Sequence, residues 1–216
     1  MDMQWIYTIN VIPTLMKGLK ITMLIAVVGI LMGFIIGLLV GLIRAGKHNV
    51  LYRIAGVYIA IIRGTPLMVQ ALYLYFAIPM LFQFDVSALT AGIAAIGLNS
   101  GAYIAEIVRG AIQSIDAGQN EAGVCLGLSK FQITTSIILP QALKIMLPSL
   151  CNQFIISVKD TSILTVIGVA EMTHQGTQAV SSTFRTVEIY TSLALLYFVL
   201  NTILSFALSK LERRMK

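Results

Sequence analysis

Apolar residues run through this chain in long stretches, and each stretch ends at a short cluster of charge, glycine or proline. A hydrocarbon core about 30 Å thick needs roughly 20 apolar residues as helix. Five stretches reach that length: Leu19 to Ile43, Ile54 to Phe82, Ala88 to Val108, Leu147 to Val169 and Ile189 to Leu208. They predict an all-α integral membrane protein, a five-helix bundle forming a single domain over residues 1–216. Arg63-Gly64-Thr65-Pro66 interrupts the second stretch, where proline removes a backbone donor and glycine loosens the helix, so a kink or a short interfacial helix is expected. Arg63 is either a functional charge or a side chain reaching back to the headgroups, and it is left out of the expected binding site.

Polar residues inside the stretches fall on helical faces. Gly29, Gly33, Gly37 and Gly41 form a smooth stripe in the first helix. Such a stripe predicts close packing against the chain's own helices, with a contact between subunits as the other reading. Asn99, Tyr103 and Glu106 share one face of the third helix, and Glu106 can meet Arg109 one turn on. Asn99 and Tyr103 sit deeper, as candidates for contact with a bound solute or for hydrogen bonds between helices.

In the fourth helix, Ser149, Gln153, Ser157, Asp160 and Leu164 recur at three- and four-residue steps and predict a polar stripe on a wet cavity. An ionised group in mid-bilayer costs about 2.5–3.5 kcal/mol on insertion scales, so Asp160 should face the bundle interior or water. Lys159 is about 100° around the helix and poorly placed to pair with it. Asp160 is expected to meet an ammonium or guanidinium of a bound solute, the alternative being a partner on another helix, with Gln153 and Ser157 adding polar contacts. Glu171 and His174 are expected in a solvated outer loop without a metal, and Asn201 and Ser205 as glue between helices.

Composition sharpens this picture. With 57% hydrophobic and 11% charged residues, a water-soluble fold is excluded. The net charge of +6 would point to nucleic acid in a soluble chain, but here its distribution reads as membrane orientation, and no nucleic acid partner is expected. Arg44, Lys47, Arg53, Arg109, Lys130, Lys144, Lys210, Arg213, Arg214 and Lys216 fall on one side, against Lys17, Lys20 and Arg185 on the other. The larger group marks the cytoplasmic side, which puts the C-terminus inside, the N-terminus outside and the basic tail against anionic lipid. The N-terminus carries Asp2 and no basic residue, unlike a cleaved signal. Cys125 and Cys151 lack metal-type spacing, and no disulfide is expected. Gly41 to His48 nearly spells a phosphate-binding loop, yet His48 stands where Ser or Thr must hold magnesium and the run leaves a helix rather than a strand.

The polar segment from Glu121 to Ala142 separates the third and fourth stretches. Glu121-Ala122-Gly123, Leu126-Gly127-Leu128-Ser129 and Ile138-Leu139-Pro140-Gln141-Ala142 closely resemble the EAA loop of permease subunits of binding-protein-dependent ABC importers. Arg63 to Leu67, Tyr103 to Gly110 and Lys159 to Ser162 resemble the polar amino acid branch of that family. The resemblance implies a five-transmembrane-helix permease of the bacterial cytoplasmic membrane with a cytoplasmic coupling helix within about residues 116–142. It also implies ABC ATPase subunits that carry the ATP and magnesium, a second permease chain of the same or a sister kind, and an extracellular or periplasmic amino-acid-binding protein. This chain itself would bind no cofactor. Glu121, Ala122, Gly123, Leu126, Gly127, Leu128 and Ser129 would dock the ATPase, Glu121 lying near the positive helix start. Gly123 replaces the second alanine of the signature, and Ala111 stands where a further glycine is frequent.

The cargo implied is a polar amino acid; the Asp160 carboxylate leans toward a cationic one, arginine, lysine or histidine, with glutamine as the alternative because every amino acid carries an ammonium. An ion-gradient-driven secondary transporter is the alternative, but such carriers commonly show inverted repeats and the two halves of this chain do not resemble each other. A membrane enzyme would need a nucleophile-base or metal cluster, which His48 and His174 on opposite sides cannot supply.

Overall fold

The computed structural model describes residues 6–46 and 49–215, with side chains as far as 213. The expectations for the first five residues, for Lys47 and His48, and for the side chains of Arg214 and Lys216 lie outside the described residues.

Helix α1 (Ile6–Ala45) starts well before the apolar stretch that predicts it. Helix α2 (Val50–Gly64) begins at Asn49, whose Oδ1 accepts from the Tyr52 N–H at 2.9 Å. Helix α3 (Leu67–Phe82) contains a π turn over Tyr73–Ala77 and leaves α2 at 106°. Helix α4 (Ala88–Gln113) is capped by Ser87, and short helix α5 (Ala117–Cys125) by Asp116. Helix α6 (Lys130–Ile167) holds a π turn at Ile133–Ile138, an α-helical body Leu139–Asp160 and a 3-10 end Thr161–Ile167. Helices α7 (Met172–Thr183) and α8 (Thr186–Met215) complete the chain. Among the described residues α1, α4, α6 and α8 are long and apolar enough to cross a membrane, and the bent α2–α3 pair is the fifth span if counted as one. The break expected at Arg63-Gly64-Thr65-Pro66 is therefore real, and sharper than a kink.

Helix α4 is the axis of the bundle: 67% of its most apolar window is buried, against 11% for α8. The α1 glycine stripe lies on it, with Ile96, Ser100, Ile104 and Val108 of α4 filling the space that side chains would occupy. The packing reading of that stripe holds. A Cβ on Gly37 would stand 2.6 Å from Ile104 Cβ and 2.8 Å from the Gly101 carbonyl oxygen, too close to be accommodated without a shift. Gly37→Val should destabilise the chain by about 1–3 kcal/mol, the range for overpacking. The check is the melting temperature in detergent against Gly110→Ala, where nothing lies within 4 Å of an added Cβ. Equal midpoints would show that α1 and α4 are not in close contact.

Three apolar clusters stack along this axis. Ile104, Val108, Ala111, Ala142 and Met146 join α4 to α6 at one end. Ile25, Leu67, Ala95, Ile96 and Leu164 tie α1, α3 and α4 to the 3-10 end of α6 in the middle. Val11, Leu15, Met172, Ile189 and Leu193 join α1, α7 and α8 at the other end. Facing outward are Leu31, Ile35 and Leu39 of α1 and Phe198, Ile203 and Phe206 of α8, an apolar exterior that suits hydrocarbon.

The segment expected to be a solvated outer loop is helix α7. Glu171 is fully buried at its N-cap, accepting from the backbone N–H groups of Thr173 (2.8 Å) and His174 (2.7 Å). Burial pushes the Glu171 carboxyl up, while those N–H groups and the hydroxyls of Tyr197 and Thr173 pull it back. His174 meets Thr165 Oγ1 at 3.3 Å instead of standing in solvent. Sequence spacing missed this helix because its residues, MTHQGTQAVSST, are polar and its burial comes from α1 and α8. The Asn201 side chain also departs from expectation: its Nδ2 donates to the Tyr197 carbonyl of its own helix, at 2.7 Å, rather than across helices.

Candidate functional site

The break between α2 and α3 frees backbone carbonyls, which in hydrocarbon must find donors within the protein. Gln70 supplies them. Its Nε2 donates to the carbonyls of Ile62 (2.7 Å) and Thr65 (3.0 Å), and Thr65 Oγ1 lies at 3.0 Å. Its Oε1 accepts from Asn99 Nδ2 at 3.2 Å, so the break is tied to the polar face of α4. A cleft of about 330 Å³ lies beside it, lined by Ile61, Ile62, Val69, Tyr73 and Leu98 among others. Tyr58 of α2 donates to the Leu98 carbonyl at 2.7 Å and holds α2 against α4.

Two turns further along α4 the same face becomes charged. Arg109 grips Glu106 with two nitrogens, Nη2 at 2.7 Å and Nε at 3.1 Å, the forked geometry that makes such pairs strong. Arg63 comes from the end of α2 to stand 3.7 Å from Glu106 and 5.1 Å from the Tyr103 ring centre, within cation–π range. Arg63 does not simply reach to headgroups: it is the third member of a cluster that the sequence spacing of Glu106 and Arg109 revealed only in part. A cation next to a glycine-proline break was the available signal, as was Gln70, a lone amide in an otherwise apolar run.

On α6 the stripe is divided by burial. Gln153 and Ser157 are 5% and 2% exposed, and Asn99 of α4 is 8% exposed. Asp160 is half-buried and Tyr103 is 38% exposed, so these two reach the surface of the chain. Asp160 ends the α-helical body, at the step into the 3-10 turn, and none of its contacts among the described residues is a hydrogen bond or an ion pair. Lys159 is exposed and does not pair with it. The structure thus brings Asn99 to Gln70 and Tyr103 to Arg63, and leaves the Asp160 carboxylate without a cation.

The polar segment after α4 is ordered by local capping. Asp116 Oδ1 accepts from the Gly118 N–H at 2.7 Å to start α5, and it is this carboxylate, not Glu121, that sits at the positive helix end. The helix stops at Gly127, whose φ of 73° is the left-handed conformation glycine adopts freely. The Leu128 N–H then reaches back to the Gly123 carbonyl (3.1 Å) and the Gly127 N–H to that of Val124 (2.9 Å). Ser129 and Gln132 cap each other reciprocally to begin α6. Gly123 is buried against Ile133, where a Cβ would come within 2.7 Å, so glycine in place of alanine permits close seating rather than merely loosening the helix. The opposite side presents Val124 and Leu126, 60% and 77% exposed, with Glu121, Ala122 and Cys125 also exposed.

Residues 33–216 match the family of binding-protein-dependent transport system inner membrane components. The glutamine transport system permease protein GlnP of Escherichia coli (strain K12) is 47% identical over all of this chain and 99% of its own length. The arginine transport system permease protein ArtQ of Bacillus subtilis (strain 168) is 36% identical over the same shares. A crystal structure of an amino acid ABC transporter with histidines superposes with a TM-score of 0.92 at 38% identity, covering 99% of this chain and 100% of that one. Family match, full-length relatives and shared architecture agree, and the chain belongs to the permease subunits of binding-protein-dependent ABC importers, in their amino acid branch.

Proposed function

We propose that this chain forms one half of an ATP-driven translocation pathway for a polar amino acid, with α5 as the coupling helix gripped by a separate ATPase. The observation that carries the proposal is the platform at α5. A helix locked from below by Gly123 on Ile133 turns Val124 and Leu126 away from the bundle, where no residue of this chain covers them among those described. Exposed apolar side chains on a rigid, capped helix fit a groove on another protein. Two such chains, identical or sister, would enclose the path, and an external binding protein would deliver cargo. ATP binding and hydrolysis would switch the pair between states of different affinity.

Asp160 and Tyr103 would meet cargo directly, and Asn99, Gln153 and Ser157 would be uncovered as the bundle changes state. The unpaired Asp160 carboxylate supports cargo with a cationic group, and the relatives' names, glutamine and arginine, both fit an amino acid carrying an ammonium. The N-terminus would lie outside and the C-terminus in the cytoplasm, because Arg44, Arg109, Lys130, Lys144 and Lys210 then gather on the cytoplasmic side. The ion-gradient carrier is not favoured by the family match.

Labelling tests this arrangement. In intact cells a membrane-impermeant maleimide should leave exposed Cys125 unmodified, and inside-out vesicles should expose it, unless a bound ATPase covers it. Pull-down of the chain should bring a stoichiometric ATPase. Cys125 modified from outside, or transport by the chain alone under a proton or sodium gradient, would overturn the proposal.

A further inference from the structure

Arg109 engages every nitrogen of its guanidinium within the chain, Nε and Nη2 on Glu106 and Nη1 on the Gln113 side-chain oxygen at 2.6 Å. Both Glu106 oxygens are thereby taken up by Arg109. Arg63 is different. Its side chain is 43% exposed, its 3.7 Å approach to Glu106 is too long for a hydrogen bond, and it forms none with any described residue. The Tyr103 ring, 5.1 Å from the guanidinium carbon, holds it instead, and the Tyr103 hydroxyl likewise makes no hydrogen bond among the described residues. Glu106 balances Arg109, so the cluster carries one positive charge in excess. That charge sits on a planar fork of N–H donors next to an unengaged phenol.

We infer that Arg63 is a specificity-determining residue of the cargo site: its guanidinium takes the α-carboxylate of the amino acid, and the Tyr103 hydroxyl donates to the same group. None of the residues proposed to meet cargo, Asn99, Tyr103, Gln153, Ser157 and Asp160, carries a positive charge, yet every amino acid brings a carboxylate that must exchange its water for donors. A guanidinium offers that carboxylate two parallel N–H bonds. Stacking on Tyr103 keeps the fork from turning away, so little side-chain freedom is lost on binding. A lipid phosphate is the other anion this chemistry would accept, and placement stands against it. Arg63 lies on the Tyr103–Glu106 face of α4, the face that also carries Asn99, rather than reaching off the chain. The inference rests on the cargo role proposed for Tyr103.

The test reads equilibrium binding to the full-length chain purified with its ATPase, using radiolabelled L-arginine, L-lysine, L-histidine and L-glutamine, with the α-carboxamide of each as competitor. An α-carboxamide keeps the ammonium and the side chain and loses the negative charge alone. The wild type should prefer the amino acid it binds over its carboxamide. Arg63→Gln should weaken binding of that amino acid about tenfold to a hundredfold, the size of a hydrogen bond to a charged group, while the carboxamide changes little. Arg63→Lys keeps the charge without the fork and should recover part of the loss. An equal loss for amino acid and carboxamide in Arg63→Gln would mark a structural role, and unchanged binding of both would leave Arg63 to a lipid headgroup; either result overturns the inference alone. So would a wild type that binds the carboxamide as tightly as the amino acid, a comparison that needs no substitution. If Tyr103→Ala leaves binding unchanged, or the wild type binds none of the four, the cargo reading fails and the inference falls with it.

Discussion

Asp160→Asn should reduce uptake of L-arginine roughly tenfold to a hundredfold while the protein accumulates in the membrane as before. A hydrogen bond to a charged group is worth about 1.5–3 kcal/mol, and at 1.4 kcal/mol per factor of ten that spans the expected loss. Asparagine is nearly the same size and forfeits only the charge. The fold should not suffer, since no ion pair or hydrogen bond among the described residues depends on this side chain. Comparing solutes separates two ways of using the carboxylate. If it meets the side-chain cation, arginine uptake falls far more than glutamine uptake; if it meets the α-ammonium, both fall together. Uptake of both at the wild-type rate would remove Asp160 from the pathway.

Leu126→Asp should separate the chain from its ATPase. Leu126 is 77% exposed, follows the last residue of α5 and precedes the glycine that stops it, so an aspartate there disturbs no internal packing. Fully burying a leucine side chain contributes about 2 kcal/mol, and replacing it with a charge adds a desolvation penalty. Co-purification of the ATPase should therefore fall roughly thirtyfold, with transport lost in parallel. Phe131→Asp is the comparison, because it is equally exposed at 77% but lies beyond the cap on α6. Retained ATPase in Leu126→Asp, or equal losses in the two variants, would show that the α5 tip is not the gripped surface.

A short helix between α4 and α6, the proposed docking platform, was legible in the sequence because its geometry is local, although its capping carboxylate is Asp116 and not the expected Glu121. Capping by Asp116, the left-handed turn at Gly127 and the Ser129–Gln132 box each use residues within a few positions of one another. The glycine stripe was legible for a related reason: four-residue spacing fixes a helical face whatever that face meets. Two features were not. The exact role of Arg63 depends on Tyr103 and Glu106, about forty residues away and brought near by the packing of α2 on α4. Helix α7 has no apolar period of its own, and what buries Glu171 is the convergence of α1 and α8.

From its own amino acids this chain determined that it lives in a bilayer, that it crosses with long apolar helices, that the second of these breaks, and where a capped polar helix stands between two of them. These follow from hydrophobic run length, helical period and cap chemistry, which act over one turn or one span. Tertiary structure alone decided which carboxylate was left without a cation. Glu106 and Asp160 look alike as acids within apolar runs, yet α2 brings Arg63 to join Arg109 beside the first, while Asp160 sits at a helix end where it forms no ion pair among the described residues. Pairing of buried charge is settled by which helices pack together, and that is a property of the assembled bundle rather than of any one segment.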